Sequence, residues 1–216
     1  MNTYDTVIFD LDGTLLNTLD DLADSTNFAL RANGLPQRSL DEVRRFVGNG
    51  VANLIHKAVP AGTAQSLEDQ CLADFKAHYV TNMRNKTAPY PGILDLLRRL
   101  QQSGCKVAVV SNKFDGAVKE LCGEYFGPLL PVALGERPGI RKKPAPDLVR
   151  ACLEELGRPA ERCVYVGDSD VDIQTAQNAG LPCLSVTWGF RDEAFLRSHG
   201  AETIVSTPEE LERALL

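Results

Sequence analysis

Features that would assign the chain to several protein classes are missing from its sequence. Lysine and arginine number 23 against 29 aspartates and glutamates, so the net charge is −6 and a nucleic-acid partner is not expected. No stretch of about 18 apolar residues could span a membrane, and the N-terminal MNTYD lacks the basic and apolar regions of a secretion signal. These absences predict a cytoplasmic protein that binds neither nucleic acid nor membranes.

Paired cysteine motifs, internal repeats and low-complexity tracts are also missing. The six cysteines have no C-x-x-C spacing, and several lie inside apolar runs such as CKVAVV and CVYVG. We therefore expect buried free thiols in a reducing compartment. At 216 residues the chain is long for one minimal domain and short for two full ones, so we expect a main domain with a smaller attachment.

What the sequence does contain is a series of short apolar, β-branched runs that mostly alternate with helical patterns. This alternation indicates βαβ units and a parallel sheet with helices on both faces. The fold class is therefore predicted to be α/β, with a doubly wound, Rossmann-like parallel sheet as its core. The predicted strands are 6–10, 106–112, 131–134, 163–168, 182–188 and 202–205, and the predicted helices are 92–104, 115–124, 146–157 and 170–180.

Residues 17 to about 85 interrupt this alternation with consecutive helical patterns and no convincing strand. The stretch APYPG at 88–92 is a plausible hinge back into the main domain, because two prolines and a glycine cannot continue a helix. We predict a core domain formed by residues 1–16 and 86–216, and an inserted all-helical cap domain at 17–85.

Polar and reactive residues follow three of the predicted strands. The first strand ends in DLDGT, the second in SN and a later one in GDSDVD. Ligands bind at the carboxyl ends of strands in an open parallel sheet. If these strands are neighbours, their carboxylates lie close together and would repel one another unless a divalent cation compensates their charge. Mg²⁺ is suited to this role, because it prefers oxygen ligands and can also bind an oxygen of a substrate phosphate. The converging carboxylates are Asp10, Asp12, Asp168, Asp170 and Asp172.

Other groups near the same edge are suited to an anion. Gly13 and Thr14 form a turn whose N–H groups could face it, and Ser111 and Asn112 offer a hydroxyl and an amide. Lys143, in RKKPAPD, lies just before a helix and is poised for a phosphate. Each motif alone also fits a plain turn, a helix N-cap or a loop. Their occurrence together favours the functional interpretation.

The four elements DLDGT, VVSN, KKPAPD and GDSDVD together resemble the haloacid dehalogenase superfamily of phosphohydrolases. A helical insertion directly after the first motif is similar to the subclass that contains phosphoglycolate phosphatase, β-phosphoglucomutase and the dehalogenases. The resemblance implies a doubly wound sheet with a mobile cap. Dehalogenases lack an acid at the position of Asp12, since halide leaves without a proton, so Asp12 favours phosphate chemistry.

The resemblance also implies catalytic and metal-binding roles. Asp10 is expected to be the nucleophile that forms an aspartyl phosphate, and Asp12 the general acid and then the general base. Mg²⁺ is expected to bind Asp10, the main-chain carbonyl of Asp12, and Asp168, with Asp172 as a ligand directly or through water. Asp170 occupies a variable position of the motif and has no assigned role.

Phosphate and substrate recognition are implied in the same way. The stretch FVGNGV at 46–51 and a lysine directly after SN, here Lys113, are similar to phosphoglycolate phosphatases. Backbone N–H groups at Gly48, Asn49 and Gly50 would bind a small anionic leaving group, whose carboxylate would pair with Lys113. Alternatively, the glycines only join helices and Lys113 is a solvated surface lysine. The residues expected to neutralise the phosphoryl group are Ser111, Asn112 and Lys143.

Three functions compete for these residues. The first is a Mg²⁺-dependent phosphatase of small phosphate monoesters, phosphoglycolate above all. The second is a sugar-phosphate mutase of the β-phosphoglucomutase kind, which passes the phosphoryl group to a sugar rather than to water. A binding module with a structural metal would not require Asp12, Asn112 and Lys143 together. We expect a small phosphorylated metabolite as the partner, and a monomer or homodimer.

The histidines and the single tryptophan are assigned no catalytic role. His56, His78 and His199 show no ligand spacing, so solvated or hydrogen-bonded histidines are expected. Trp188 follows a late predicted strand, and packing in the core or at its rim is a better interpretation than stacking on a substrate.

Overall fold

The computed structural model describes residues 3–216, so Met1 and Asn2, which begin the predicted core domain, lie outside the described residues. The chain forms two compact units. The sheet unit runs as far as Leu16 and resumes at Pro89–Leu216, and the helical unit is Asn17–Ala88. That the helical unit acts as a mobile cap stays a prediction.

The strands of the sheet unit form one parallel sheet. Its order is β5-β4-β1-β6-β7-β8, so the strand order reverses next to β1, as in doubly wound folds. The predicted α/β fold class is confirmed. Strands β2 and β3 pair separately where the chain passes between the two units. The strands are β1 (Thr6–Phe9), β2 (Leu16–Asn17), β3 (Ala88–Pro89), β4 (Lys106–Phe114), β5 (Val132–Glu136), β6 (Cys163–Gly167), β7 (Cys183–Val186) and β8 (Thr203–Val205).

The central strands bring the predicted site motifs to one edge. Every residue of β1 and β6 is buried, as expected of strands covered on both faces. Phe9, the last residue of β1, lies opposite Val109 of β4 and Val166 of β6. The segments that follow these three positions therefore meet at the same edge. Strand β4 continues to Phe114, beyond the predicted end at 112, with an irregularity after Val110.

Helices cover the sheet and build the second unit. Helices α7 and α8 end at Gly157 and Gly180, whose positive φ angles of 62° and 72° suit glycine. Helices α9 and α10 were not predicted. The helices are α1 (Leu19–Ala32), α2 (Leu40–Phe46), α3 (Gly50–Ala58), α4 (Gln65–Asn82), α5 (Ile93–Gln102), α6 (Asp115–Tyr125), α7 (Asp147–Leu156), α8 (Asp170–Ala179), α9 (Glu193–Ser198) and α10 (Pro208–Leu215), with a 3₁₀ turn at Gly127–Leu129.

The helical unit consists of α1 to α4, and the predicted all-helical insertion is confirmed. Helix α2 starts with a capping box, in which Ser39 Oγ accepts from the Glu42 N–H and the Glu42 carboxylate accepts from the Ser39 N–H. Phe75 and Tyr79 of α4 are fully buried and stack with ring centroids 5.4 Å apart. A stacked aromatic pair therefore forms part of this unit's core.

The structure also describes the burial of the cysteines and the length and apolar character of the helices. The six cysteines are free, and all but the half-buried Cys183 are buried, as predicted. Among residues 3–216, no helix combines the length and apolar character needed to cross a membrane.

Candidate active site

The loop after β1 begins with a buried carboxylate. The Asp10 N–H donates to the Val166 carbonyl at 2.9 Å, which continues the pairing of β1 with β6. The Asp10 side chain then turns back, and its Oδ1 accepts from the Leu11 N–H at 2.7 Å. Only 8% of Asp10 is exposed. The end of the strand therefore fixes one carboxylate oxygen.

Lys143 is the centre of the buried charge cluster. Its Nζ lies 2.9 Å from Asp10 Oδ1, 2.8 Å from Asp172 Oδ1 and 2.9 Å from the Tyr165 hydroxyl. Burial alone would lower the pKa of Lys143, but attraction to Asp10 and Asp172 outweighs burial and raises it well above its usual value. The ammonium group is therefore charged, and its three hydrogens all have partners.

Asn112 holds the main chain of Lys143. Its Nδ2 donates to the Lys143 carbonyl at 3.0 Å, and its Oδ1 accepts from the Lys143 N–H at 2.8 Å. These contacts make Asn112 a residue that positions the lysine, and its binding of phosphate stays a prediction. Ser111 differs, since its Oγ accepts from the Lys113 N–H at 3.2 Å and its hydrogen has no acceptor among residues 3–216.

Three carboxylates meet beside Lys143: two follow the ends of β1 and β6, and the third lies in α8. One oxygen from each of Asp10, Asp168 and Asp172 lies within 4.8 Å of the others. Burial raises the pKa of Asp10 to about 7, with repulsion from Asp172 and Asp12 adding to burial and Lys143 opposing it. Burial, followed by repulsion from Asp172 and Asp10, raises the pKa of Asp168 well above its usual value. A divalent cation would relieve this repulsion, so the donor set fits a hard metal ion.

The three carboxylates differ in their free oxygens. Asp172 Oδ2 accepts from both the N–H and the hydroxyl of Ser169, at 3.1 and 2.6 Å, while its Oδ1 accepts from Lys143 and lies 3.2 Å from the Tyr165 hydroxyl. Asp172 is thus both a cap of α8 and a partner of Lys143. By contrast, Asp10 Oδ2 accepts no hydrogen bond within the described part of the chain.

A second ion pair joins β4 to the loop after β1. Lys113 Nζ is 2.9 and 3.1 Å from the two carboxylate oxygens of Asp12. Only 4% of Lys113 is exposed, so the alternative that it is a solvated surface lysine is wrong. The sequence predicts that Lys113 pairs with the carboxylate of a leaving group, and in the structure its ammonium pairs with Asp12.

The turn formed by Gly13 and Thr14 does not present free N–H groups, contrary to the sequence prediction. The Gly13 N–H donates to the Leu16 carbonyl at 2.9 Å, and the Thr14 N–H donates to the Leu11 carbonyl at 3.3 Å. Gly13 has a φ of 87°, and a side chain there would collide with the Asp168 carboxylate. The Thr14 hydroxyl donates to Asp168 Oδ1 at 3.2 Å. Both residues therefore shape the surroundings of Asp168.

The predicted specificity stretch lies in the helical unit. Gly50 opens α3 with a φ of 81°, Gly48 has a φ of 130°, and Asn49 precedes the helix without a side-chain capping bond. Glycine is suited to both positive φ angles. Binding of a leaving group by Gly48, Asn49 and Gly50 stays a prediction.

Tyr165 was missed by sequence reasoning. It lies in β6, in the run CVYVG, and is fully buried. Its hydroxyl accepts from Lys143 and lies 3.2 Å from both the Val110 carbonyl and Asp172 Oδ1. A tyrosine inside an otherwise apolar strand was the available signal, because a buried hydroxyl requires a polar partner.

The histidines lie outside this cluster of carboxylates. His78 Nδ1 is 3.0 Å from Ser25 Oγ, and His56 Nδ1 is 3.1 Å from Glu68. His199 Nδ1 is 2.8 Å from the Phe195 carbonyl. Each histidine thus has a partner within its own unit, as expected.

A model of the haloacid dehalogenase-like hydrolase family matches residues 7–186. This range contains all four motifs and the helical unit. The match therefore covers both the sheet-edge cluster and the insertion.

Proteins similar to this chain over nearly their whole length are known. Phosphoglycolate phosphatase of Rhodobacter capsulatus is 34% identical over 189 residues, which are 86% of this chain and 85% of that protein. Phosphoglycolate phosphatase of Aquifex aeolicus is 32% identical over 95% of this chain and 93% of its own length. A crystal structure of a candidate phosphoglycolate phosphatase from Lactobacillus delbrueckii subsp. bulgaricus superposes with a TM-score of 0.95, at 40% identity, over 100% of this chain and 99% of the other.

Proposed function

This chain belongs to the haloacid dehalogenase-like hydrolase family and is a phosphoric monoester hydrolase, and we propose that its reaction passes through an aspartyl phosphate on Asp10. Phosphoglycolate is the proposed first substrate, since similar proteins carry the name phosphoglycolate phosphatase. The observation that carries the mechanism is the state of Asp10. One of its oxygens is fixed by Lys143 and Leu11, and the other is free.

The free oxygen is placed to act as a nucleophile. Asp10 Oδ2 attacks phosphorus, the bond to the ester oxygen breaks, and its electron pair stays on the departing oxygen. That oxygen takes a proton from Asp12, which must be protonated when the ester binds and so must give up one of its two contacts with Lys113. Asp12 then takes a proton from a water molecule, whose oxygen attacks phosphorus and breaks the bond to Asp10. Inorganic phosphate leaves, and the Asp10 carboxylate is restored.

A Mg²⁺ ion fits the acidic cluster. We propose Asp10, Asp168 and the main-chain carbonyl of Asp12 as direct ligands. Asp172, whose oxygens accept from Ser169 and Lys143, would be a ligand directly or through a water molecule. When bound, the ion supplies positive charge that neutralises and orients the phosphoryl oxygens.

Two side chains complete the proposed phosphate site. The buried Lys143 supplies a permanent positive charge beside Asp10, and the Ser111 hydroxyl has a hydrogen that it can donate to a phosphoryl oxygen. Asn112 acts through Lys143, whose main chain it fixes. Charge that is already oriented before the substrate binds is the main source of stabilisation in phosphoryl transfer.

Lys113 is the proposed specificity residue. Its buried ammonium pairs with Asp12, the residue that gives a proton to the leaving oxygen. A leaving group with its own carboxylate, as in phosphoglycolate, would place that carboxylate next to the same ammonium. Binding of a small anionic leaving group by backbone N–H groups of Gly48, Asn49 and Gly50 stays a prediction from the resemblance.

The test is release of inorganic phosphate from a matched set of esters. Phosphoglycolate should be hydrolysed faster than ethyl phosphate, which has the same carbon chain length but no carboxylate, and chelation of Mg²⁺ should abolish both activities. Lys113→Met should remove most of the preference between the two esters. Release of phosphate from neither ester would contradict the proposal. Interconversion of β-glucose phosphates without phosphate release would assign the mutase activity instead.

A further inference from the structure

We propose that the Trp188–Phe190 segment positions Asp168 and thereby sets the affinity of the protein for Mg²⁺. This inference rests on the metal site of the proposed function. The segment follows β7 and contains the tryptophan that the sequence assigned to packing alone. Each of its residues contacts either Asp168 or the loop after β1, through a different kind of interaction.

The first contact fixes one oxygen of Asp168. The Phe190 N–H donates to Asp168 Oδ2 at 2.6 Å, which is a short hydrogen bond. The Thr14 hydroxyl donates to Asp168 Oδ1 at 3.2 Å from the other direction. With one donor on each oxygen, the plane of the carboxylate is set, and each oxygen keeps an unused lone pair.

The second contact is a close approach of Gly189. A side chain at this position would collide with the Gly13 carbonyl and with the Asp168 side chain. A side chain at Gly13 would also collide with Asp168. The Asp168 carboxylate therefore lies between two glycines, and both must lack a Cβ atom for it to occupy its place.

The third contact connects the segment to the catalytic loop. Trp188 Nε1 donates to the Thr14 carbonyl at 3.0 Å, so the segment holds the same residue whose hydroxyl holds Asp168. The positions of Asp168 and of the loop that carries Asp10 and Asp12 are thus fixed relative to each other. Groups that orient a metal ligand in this way typically change metal affinity by about 10- to 100-fold when they are altered.

Two variants test the proposal by direct titration of Mg²⁺ in a calorimeter, without substrate. Gly189→Ala should weaken binding by about 10- to 100-fold, because the new methyl group displaces Asp168. Trp188→Phe keeps an aromatic ring but loses the bond to the Thr14 carbonyl, and should weaken binding by a smaller factor. Gly116→Ala is the matched control, since a Cβ atom at Gly116 meets nothing within 4 Å.

Activity provides a second measurement that a purely structural role would not change in the same way. Excess Mg²⁺ should restore most of the turnover of Trp188→Phe. Circular dichroism and the melting temperature, compared with those of Gly116→Ala, check that this variant still folds. If Trp188→Phe and Gly189→Ala bind Mg²⁺ as tightly as the wild type, this inference is overturned and the proposed function stands. Failure of the wild type to bind Mg²⁺ would overturn this inference together with the proposed metal site.

Discussion

Two buried aspartates, one in each unit, have opposite surroundings. Asp10 of the sheet unit lies among Lys143, Asp168 and Asp172 and keeps one oxygen without a hydrogen bond from residues 3–216. Asp21 of α1 in the helical unit is 1% exposed, and both of its oxygens accept hydrogen bonds. Its donors are neutral and belong to two consecutive residues, the Lys86 N–H and the N–H and hydroxyl of Thr87.

The difference shows that burial alone does not mark a functional carboxylate. Asp21 is satisfied by neutral donors and connects the start of the helical unit to its end. Asp10 is surrounded by like charges that only partly cancel against Lys143, and its pKa is raised to about 7. Perturbed carboxylates of this kind are typical of active sites, whereas satisfied ones stabilise the fold.

The largest expected effect is on activity at Asp10. Asp10→Asn should lower phosphatase turnover by at least about 10⁴-fold, because the amide is a poor nucleophile. The free energy of unfolding should not fall, since the substitution removes one of the mutually repelling carboxylates. Steady-state kinetics and urea unfolding check both parts. Turnover within tenfold of the wild type would remove Asp10 from the mechanism.

The next effect concerns the lysine that compensates the acidic cluster. Lys143→Met should lower turnover by about 10³-fold and should destabilise the metal-free protein by about 3–5 kcal/mol, because two buried carboxylates lose their partner. Urea unfolding with a chelator measures this loss.

Lys113→Met is the matched control for stability, since it leaves only the Asp12 carboxylate without its lysine. Its loss of unfolding free energy should be smaller than that of Lys143→Met. Equal losses for the two variants would contradict the central place of Lys143.

The pH dependence of stability should report the raised pKa of Asp10. Burial raises the pKa of Asp10 from 3.8 to about 7, so folding favours its protonated form. The stability that this group contributes is present below about pH 4 and is lost as pH rises through 7. Relative to Asp10→Asn, the metal-free wild type should lose a few kcal/mol of unfolding free energy between pH 4 and pH 8. Parallel profiles of the two proteins would contradict the raised pKa.

The smallest effect should come from Asp21. Asp21→Asn replaces one acceptor oxygen with an N–H group that faces other donors, and should lower the free energy of unfolding by about 1–3 kcal/mol. This fall in stability distinguishes Asp21→Asn from Asp10→Asn, whose free energy of unfolding should not fall, and urea unfolding of both variants at one pH compares them. Calorimetric Mg²⁺ affinity should stay as in the wild type. A stability unchanged by this substitution would show that the hydrogen bonds at Asp21 are not structural.

The sequence was sufficient to predict the parallel sheet and to predict that Asp10 and Asp168 lie close together. Apolar runs set the strands, and parallel strands place the residues that follow them at one edge. The same reasoning placed Lys143 beside the carboxylates, since it lies in a short segment before a helix of the same sheet unit.

The contacts that the sequence could not predict are hydrogen bonds that involve main-chain groups. The amide of Asn112 bonds the main chain of Lys143, which no pattern in SNK or KPAPD indicates. The N–H groups of Gly13 and Thr14 are used inside their own turn. The bond from the Phe190 N–H to Asp168 could be made by almost any residue type, so side-chain identity carries no signal for it.

The most direct test of the central claim is chemical trapping during turnover with phosphoglycolate. Acid quenching within milliseconds, followed by peptide mass spectrometry, should find one phosphoryl group on the peptide that contains Asp10, and borohydride reduction should mark that residue alone. Asp10→Asn should show no label under the same conditions. Full turnover without a phosphoryl group on Asp10, or a label on a different residue, would contradict the account.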